Sequence, residues 1–385
     1  MKRNPNYTLC EIEGCYYLLP FGQGIADHER GIQINETGVF LWNTLKDSHT
    51  REELLEKFLA HYQAESKDIP ILTQDLSHFL FQLTSLGIIV NDLKEISSEN
   101  SFIMHLQIGP LHLKLTGSSN LFPKEFNNYQ TAPYENPDLT IVLSTDILPV
   151  IENGTLLIEN KELQVWEQSD CYHLLFPESP EIAEAYLLKD GSYAYIHHIE
   201  NYTASLTEEL LHAIRLLYLY TAQLHDCYAI HSASILYQDK AWLFSGHSGM
   251  GKSTHTSLWH KLFGTPLLNG DLNLLAFSND KPIIYGIPWC GTSGISVAED
   301  YPLGGIILLA RDEEDSCEEL SQDKKALLIS QRFISPTWNE SMLKKHLKFT
   351  QKLSKQIHIC QLKCTKNDSA AYTMKDWIDS KSTHL

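Results

Sequence analysis

The residues best suited to chemistry form one short run, Gly246-His247-Ser248-Gly249-Met250-Gly251-Lys252-Ser253, which fits the pattern G-x-x-x-x-G-K-[ST]. Glycines so placed let backbone amides close on phosphate oxygens, the lysine brings charge to them, and the following hydroxyl can ligate Mg²⁺. Residues 246–253, with Thr254 completing the set, are therefore expected to bind the phosphates of a nucleotide together with Mg²⁺, the kind of nucleotide enzyme being left open by the pattern. A chance glycine turn is the alternative, and the flanks argue against it. Residues 241–244 (Ala-Trp-Leu-Phe) read as a strand leading in, and Leu258, Trp259 and Leu262 give the next segment an apolar helical face. The loop then lies at a helix N-terminus, where the peptide dipoles favour an anion.

Two further residues carry chemistry by position. Asp271 follows the apolar Pro266-Leu267-Leu268 and precedes a β-type run over 272–277, so its carboxylate stands at a strand end where it could hold Mg²⁺ with Ser253. A turn aspartate after Asn269-Gly270 is the other reading. His231 lies before the loop strand in Ala229-Ile230-His231-Ser232-Ala233, either as a proton acceptor or as a satisfied structural histidine.

The elements that must position these groups come in three blocks. Residues 1–95 begin with β-type runs at 15–19 and 32–34 around a Gly22-Gln23-Gly24 turn, and Asn35-Glu36-Thr37 opens a helix through Phe40, Leu41, Trp42 and Leu45. Thr50 with Glu53 reads as a capping box for a second helix. Leu72, Leu76, Phe79, Leu80, Leu83 and Leu86 line a third, which stops at Gly87 before a strand at 88–90, a winged-helix pattern. The polar stretch 94–101 reads as a linker. Residues 96–225 give mostly antiparallel strands, including 155–158 and 163–166 around a turn at 159–162, then a helix that Ser205 and Glu208 are expected to cap and that runs through Leu211, Ile214, Leu217, Leu219 and Leu224. Residues 226–385 form an α/β core around the phosphate loop.

Composition narrows the partners. With 30 basic and 48 acidic side chains the formal charge is −18, which opposes the phosphate attraction that nucleic-acid binders need. The longest apolar stretches, such as 306–310, are too short to span a bilayer, and no apolar segment near the start suggests a secretory signal, so no membrane and a cytoplasmic location are expected. The eight cysteines include no C-x-x-C pair and are read as reduced thiols. Cys360 and Cys364 near His358 could mark a metal site, but a strand with no second ligand pair favours packing. Oligomeric state is left open.

The ordered run His231-Ser232-Ala233-Ser234-Ile235, the phosphate loop, Leu267-Leu268-Asn269-Gly270-Asp271, Gly286-Ile287-Pro288-Trp289-Cys290-Gly291 and the strand 305–311 resembles the kinase domain of HPr kinase/phosphorylase, whose fold is shared with ATP-type phosphoenolpyruvate carboxykinase. The resemblance implies that Lys252 binds the β- and γ-phosphates, that Ser253 and Asp271 hold the metal, and that an acidic group or His231 assists a serine hydroxyl. One departure is that the family commonly has two adjacent aspartates where this chain has Gly270 and Asp271, which leaves the general base to His231 or Asp271. Trp289, Cys290, Gly291 and Thr292 fall on the acceptor side, with a structural turn as the other reading.

The N-terminal block resembles PqqD-type peptide-recognition domains through Gly31-Ile32-Gln33-Ile34-Asn35-Glu36-Thr37-Gly38, Trp42, Thr50, Glu53, Leu54 and Asp75. That likeness implies capture of a precursor (leader) peptide by strand addition beside a helix, with Gly31, Ile32, Gln33, Ile34 and Asn35 in contact. A winged-helix DNA binder is the alternative, opposed by the acidic balance. Together the halves imply an ATP-dependent kinase for a Ser or Thr of a ribosomally made peptide. The alternatives are a nucleotide-switched peptide chaperone and a small-molecule kinase.

Overall fold

The computed structural model describes residues 1–385 except 23–24, 26–30, 48, 50, 66, 87, 91–101, 146–153, 200–202, 248 and 383–385. The turn read at 22–24, Thr50 of the capping box, Gly87, the linker at 94–101 and Ser248 of the phosphate loop thus fall wholly or partly outside the described residues. The chain divides into two compact units, one of Met1–Asn100, Val142–Leu187 and Tyr195–Asn201, the other of Ser101–Ile141, Leu188–Ala194 and Tyr202–Leu385.

In the first unit the strands Tyr7–Ile12 and Cys15–Pro20 pair antiparallel across Glu13 and Gly14, both at positive φ (51° and 78°), which lets a two-residue turn follow the strands' twist. Ile32–Ile34 adds to Cys15–Pro20 as an edge strand, Tyr17 opposite Gln33. Gly31 suits the close approach there, since a Cβ would stand 2.5 Å from Leu19 Cδ2 and 3.0 Å from the Leu18 carbonyl oxygen, and the Leu19 side chain would have to shift. Asn35 then caps the helix Glu36–Thr44, its side chain accepting the Gly38 N–H at 2.9 Å. The helices Arg51–His61 and Ile69–Ser85 follow, and Ile89–Val90 returns to pair with Lys2–Arg3. Leu18, Leu41, Trp42, Phe58, Leu80 and Ile89 belong to a core drawn from the first ninety residues.

The same unit holds most of the strands Tyr193–His198 and Ile182–Leu188 and all of Cys171–Leu175, Gln164–Glu167 and Thr155–Glu159, neighbours in that order. Glu184 is buried among them; its carboxylate accepts from His173 Nε2 at 2.7 Å and Tyr186 Oη at 3.1 Å, with His197 Nδ1 at 3.6 Å. Burial alone would raise its pKa, but the contacts to His173 and His197 prevail and bring it down to about 2.

The second unit is a mixed sheet with helices. Its strands run Lys240–Ser245, Tyr228–Tyr237, Leu272–Ser278, Lys281–Tyr285, Tyr301–Arg311, His358–Cys364 and Ser316–Glu319. A further parallel pairing of Lys240–Ser245 with Tyr301–Arg311 closes the first five into a ring. Tyr301–Arg311 is therefore parallel to Lys240–Ser245 on one side and His358–Cys364 on the other. Ile306 and Leu308 face one core while Ile307 and Leu309 face a second, which is why the strand is continuously apolar. Cys360 and Cys364 are buried in the second core with Trp259, Met374 and Ile378.

Helix Ala204–Leu224 begins two residues earlier than the expected box: Thr203 is its cap, accepting the Leu206 N–H at 3.2 Å, and Ser205 lies inside the first turn. Both hydroxyls suit an N-cap by type, so the strand-like backbone at Thr203 (φ −126°, ψ 163°) decides between them. No described helix is long and apolar enough to cross a membrane.

Candidate active site

The phosphate loop leaves the carboxyl end of Lys240–Ser245, beside the carboxyl ends of the two strands parallel to it, where α/β sheets open a crevice for ligands. Gly249 (φ +74°) and Gly251 (φ +99°) take the left-handed conformations needed to curl the chain back into helix Lys252–Phe263. Gly251 is the helix cap and has no side chain to accept a hydrogen bond, so the first-turn amides remain available to an anion. Ser253 and Thr254 are exposed on that turn.

Cations gather around the loop although the chain as a whole is acidic. Lys252 Nζ donates to the Gly246 carbonyl at 3.3 Å, and Arg311 Nη2 donates to the Gly249 carbonyl. Arg332 Nη1 and Nη2 each lie 3.1 Å from a ring nitrogen of His247; a neutral imidazole has one acceptor, so one contact is a hydrogen bond and the other a close approach. Burial lowers the pKa of Lys252, Asp271 raises it and Arg332 lowers it.

Across from the loop, the sheet register joins residues far apart in sequence. His231 pairs opposite Leu272, and the Ser232 N–H donates to the Asp271 carbonyl at 2.9 Å. This brings His231 Nδ1 within 3.3 Å of Asp271 Oδ1. Burial holds the His231 pKa below its ordinary value; Lys252 and Arg215 lower it further while Asp271 opposes them. With Nδ1 turned to the carboxylate, Nε2 is the nitrogen left to accept a proton.

Asn269, read from the sequence as part of a turn, is the strut of this arrangement. Its Oδ1 accepts the Asp271 and Leu272 N–H groups at 3.0 Å each, and its Nδ2 donates to the Ile287 and Trp289 carbonyls at 3.2 Å each. It thus ties the aspartate turn to the segment 288–293. Gly270, where a second aspartate was looked for, lies under Ser293: an added Cβ would overlap the Ser293 side chain, whose hydroxyl donates to the Cys290 carbonyl at 2.6 Å.

Of the acceptor-side candidates, Gly291 and Thr292 are exposed. Trp289 and Cys290 are buried, the indole N–H donating to the Leu211 carbonyl at 3.0 Å. Sequence reasoning did not single out Arg332, and it met Asn269, Ser293 and Arg311 only within longer runs. Their roles come from register and from loop returns that no local pattern encodes.

A cavity of about 390 Å³ adjoins the loop, lined among others by Gly249, Met250, Thr254, Leu258, Arg311 and Thr365. Oxygen donors near the loop include the exposed Ser253 hydroxyl, the Asp271 carboxylate and Asp312 of the cavity lining, and no cluster of three or more His, Cys, Asp or Glu suited to a metal occurs among the described residues. So small a set fits Mg²⁺, which keeps most of its shell from water and phosphate oxygens.

Residues 25–89 match the family model for coenzyme PQQ synthesis protein D (PqqD). The solved structure of the HPr(Ser) kinase/phosphatase from Coxiella burnetii is similar over 40% of this chain and 98% of its own, at 11% identity and a TM-score of 0.24, values that leave function to be argued from the site. No curated protein matches the sequence. The chain is therefore a mixed α/β protein whose N-terminal segment is a PqqD domain.

Proposed function

We propose that this protein is an ATP- and Mg²⁺-dependent kinase that phosphorylates a Ser or Thr hydroxyl of a ribosomally made precursor peptide, whose leader the N-terminal domain captures. The observation that carries the reading is the His231–Asp271 pair, 3.3 Å apart, facing a phosphate loop ringed by Lys252, Arg311 and Arg332. The order of sequence motifs shared with HPr kinase supports it.

In this reading the loop amides and Lys252 hold the β- and γ-phosphates, and the cavity beside Leu258 and Thr365 receives the nucleoside. Mg²⁺, when bound, neutralises phosphate charge, with Ser253 and Asp271 as its protein ligands. The acceptor hydroxyl enters on the side of Gly291 and Thr292. Its oxygen forms a bond to the γ-phosphorus as the bond to the β–γ bridging oxygen breaks, ADP leaves, and the proton passes to His231 Nε2. Asp271 orients the imidazole through Nδ1, and positioning contributes more than basicity in phosphoryl transfer. The leader adds as a strand to the free edge of Ile32–Ile34, where backbone pairing gives affinity with little sequence demand.

The test is to incubate the full chain with Mg·ATP and precursor peptides encoded beside it. A peptide mass increase of one phosphoryl group, matched by ADP, is the expected result. Nucleotide binding with neither ADP nor a phosphopeptide formed would point instead to the non-catalytic, nucleotide-switched chaperone, and phosphorylation of a small metabolite alone to the third reading.

A further inference from the structure

We propose that Arg215, on helix Ala204–Leu224, is a further catalytic residue whose guanidinium meets the transferring phosphoryl group beside Asp271. The assignment rests on the phosphotransferase reading above.

Leu211, Arg215 and Tyr218 share one stripe of the helix, at spacings of four and three. Both neighbours of Arg215 on that stripe touch Trp289: the Leu211 carbonyl takes the indole N–H at 3.0 Å, and the Tyr218 ring lies 4.9 Å from the indole. Arg215 is thereby aimed at the segment that Trp289 opens. Asn269 ties that segment to the Asp271 amide, and Gly291 presses on Asp271 so closely that a Cβ would stand 2.9 Å from the aspartate Cβ. Burial lowers the pKa of the guanidinium and the Asp271 charge opposes it, so the two side chains share one electrostatic neighbourhood.

The Arg215 side chain is half-buried, and among the described residues it has no hydrogen-bond or salt-bridge partner. An unmatched cation so placed is costly, and an anion arriving with the substrate would offset that cost. The planar fork of donors matches two phosphoryl oxygens. Lys252, Arg311 and Arg332 all surround the loop, whereas Arg215 comes from the side of the acceptor segment. It is therefore placed to meet charge that develops as the phosphoryl group leaves ADP.

The experiment compares the full chain with Arg215→Ala and Arg215→Lys, measuring ADP affinity by displacement of a fluorescent nucleotide and phosphoryl transfer to the precursor peptide, with and without millimolar guanidinium. For Arg215→Ala, kcat should fall about 10²- to 10³-fold while ADP affinity changes less than about threefold. Added guanidinium should restore part of the rate, and lysine, which lacks the fork, should recover less than the wild type. A variant rate within about threefold of wild type overturns the assignment, and so does a loss that guanidinium leaves unrestored while the melting temperature drops, which makes Arg215 structural. Absence of transfer by the wild type rejects the kinase reading itself, and this assignment with it, whereas an active wild type with an equally active variant rejects only Arg215.

Discussion

Among the described residues Lys252 makes one side-chain hydrogen bond, to the Gly246 carbonyl, so Lys252→Ala removes charge with little effect on packing. Phosphoryl transfer should be abolished while the melting temperature stays within about 2 °C of wild type, as expected of a change costing under 1 kcal/mol. His231 makes a pH prediction. Its folded pKa lies below 6.5, so the neutral, proton-accepting imidazole dominates at neutral pH and is lost as pH falls through that lowered value. Transfer rate should rise with pH through an acid limb below 6.5 and then level off, and a His231→Ala variant should lose that limb together with most of its rate. If the limb persists in the variant, the proton acceptor lies elsewhere. Gly270 shows what a single residue type can and cannot say. The resemblance to HPr kinase leads one to expect a second carboxylate at position 270, but only packing reveals that the Ser293 side chain fills that space. Gly270→Ala should cost about 1–3 kcal/mol by overpacking, and much of that should return in Gly270→Ala with Ser293→Gly, as read from denaturation midpoints.

At the scale of elements, legibility followed periodicity. The loop helix, the Asn35-capped helix and the edge strand Ile32–Ile34 stand where apolar spacing and capping residues placed them. The cap of Ala204–Leu224 was misplaced because Thr203 and Ser205 are both competent hydroxyls and only backbone angles separate them. Hidden entirely was the buried network on strand Ile182–Leu188, since Glu184, Tyr186, His173 and His197 are brought together only by strand pairing. That network makes a stability prediction. The Glu184 pKa is depressed to about 2, so its contribution is present above the unfolded-state value of 4.5 and is lost as pH falls toward 2. Glu184→Gln should destabilise this unit at neutral pH by about 3 kcal/mol, the lower end for a broken buried pair because the amide keeps one acceptor. The variant should also flatten the acid limb of stability between pH 4.5 and 2 in melting curves. An unchanged acid limb would mean that the carboxylate is not ionised in the folded protein.

Across the whole molecule the proposed roles separate along the chain. Every residue assigned to phosphate, metal or proton lies beyond residue 200, whereas the free edge of Ile32–Ile34 belongs to a domain whose core comes from the first ninety residues. That division was legible, because a PqqD-like pattern and a phosphate loop are both local signals; what joins them in one reaction is not local and had to be inferred. If the leader is captured at the strand edge, the tethered acceptor is presented at an effective concentration on the order of millimolar, so the domain should matter most when peptide is scarce. A free leader peptide added to the intact protein should then compete for the edge. It should slow phosphorylation of a full-length precursor at sub-micromolar substrate by about tenfold or more, and less as precursor is raised to saturation. ADP affinity should be untouched, since Lys252 and the loop amides are not displaced, and phosphorylation of a peptide lacking the leader should be slow with or without the competitor. These arms separate capture from catalysis. Equal rates for precursors with and without leader at low concentration, with no inhibition by free leader, would leave the kinase assignment standing and remove the peptide-capture half.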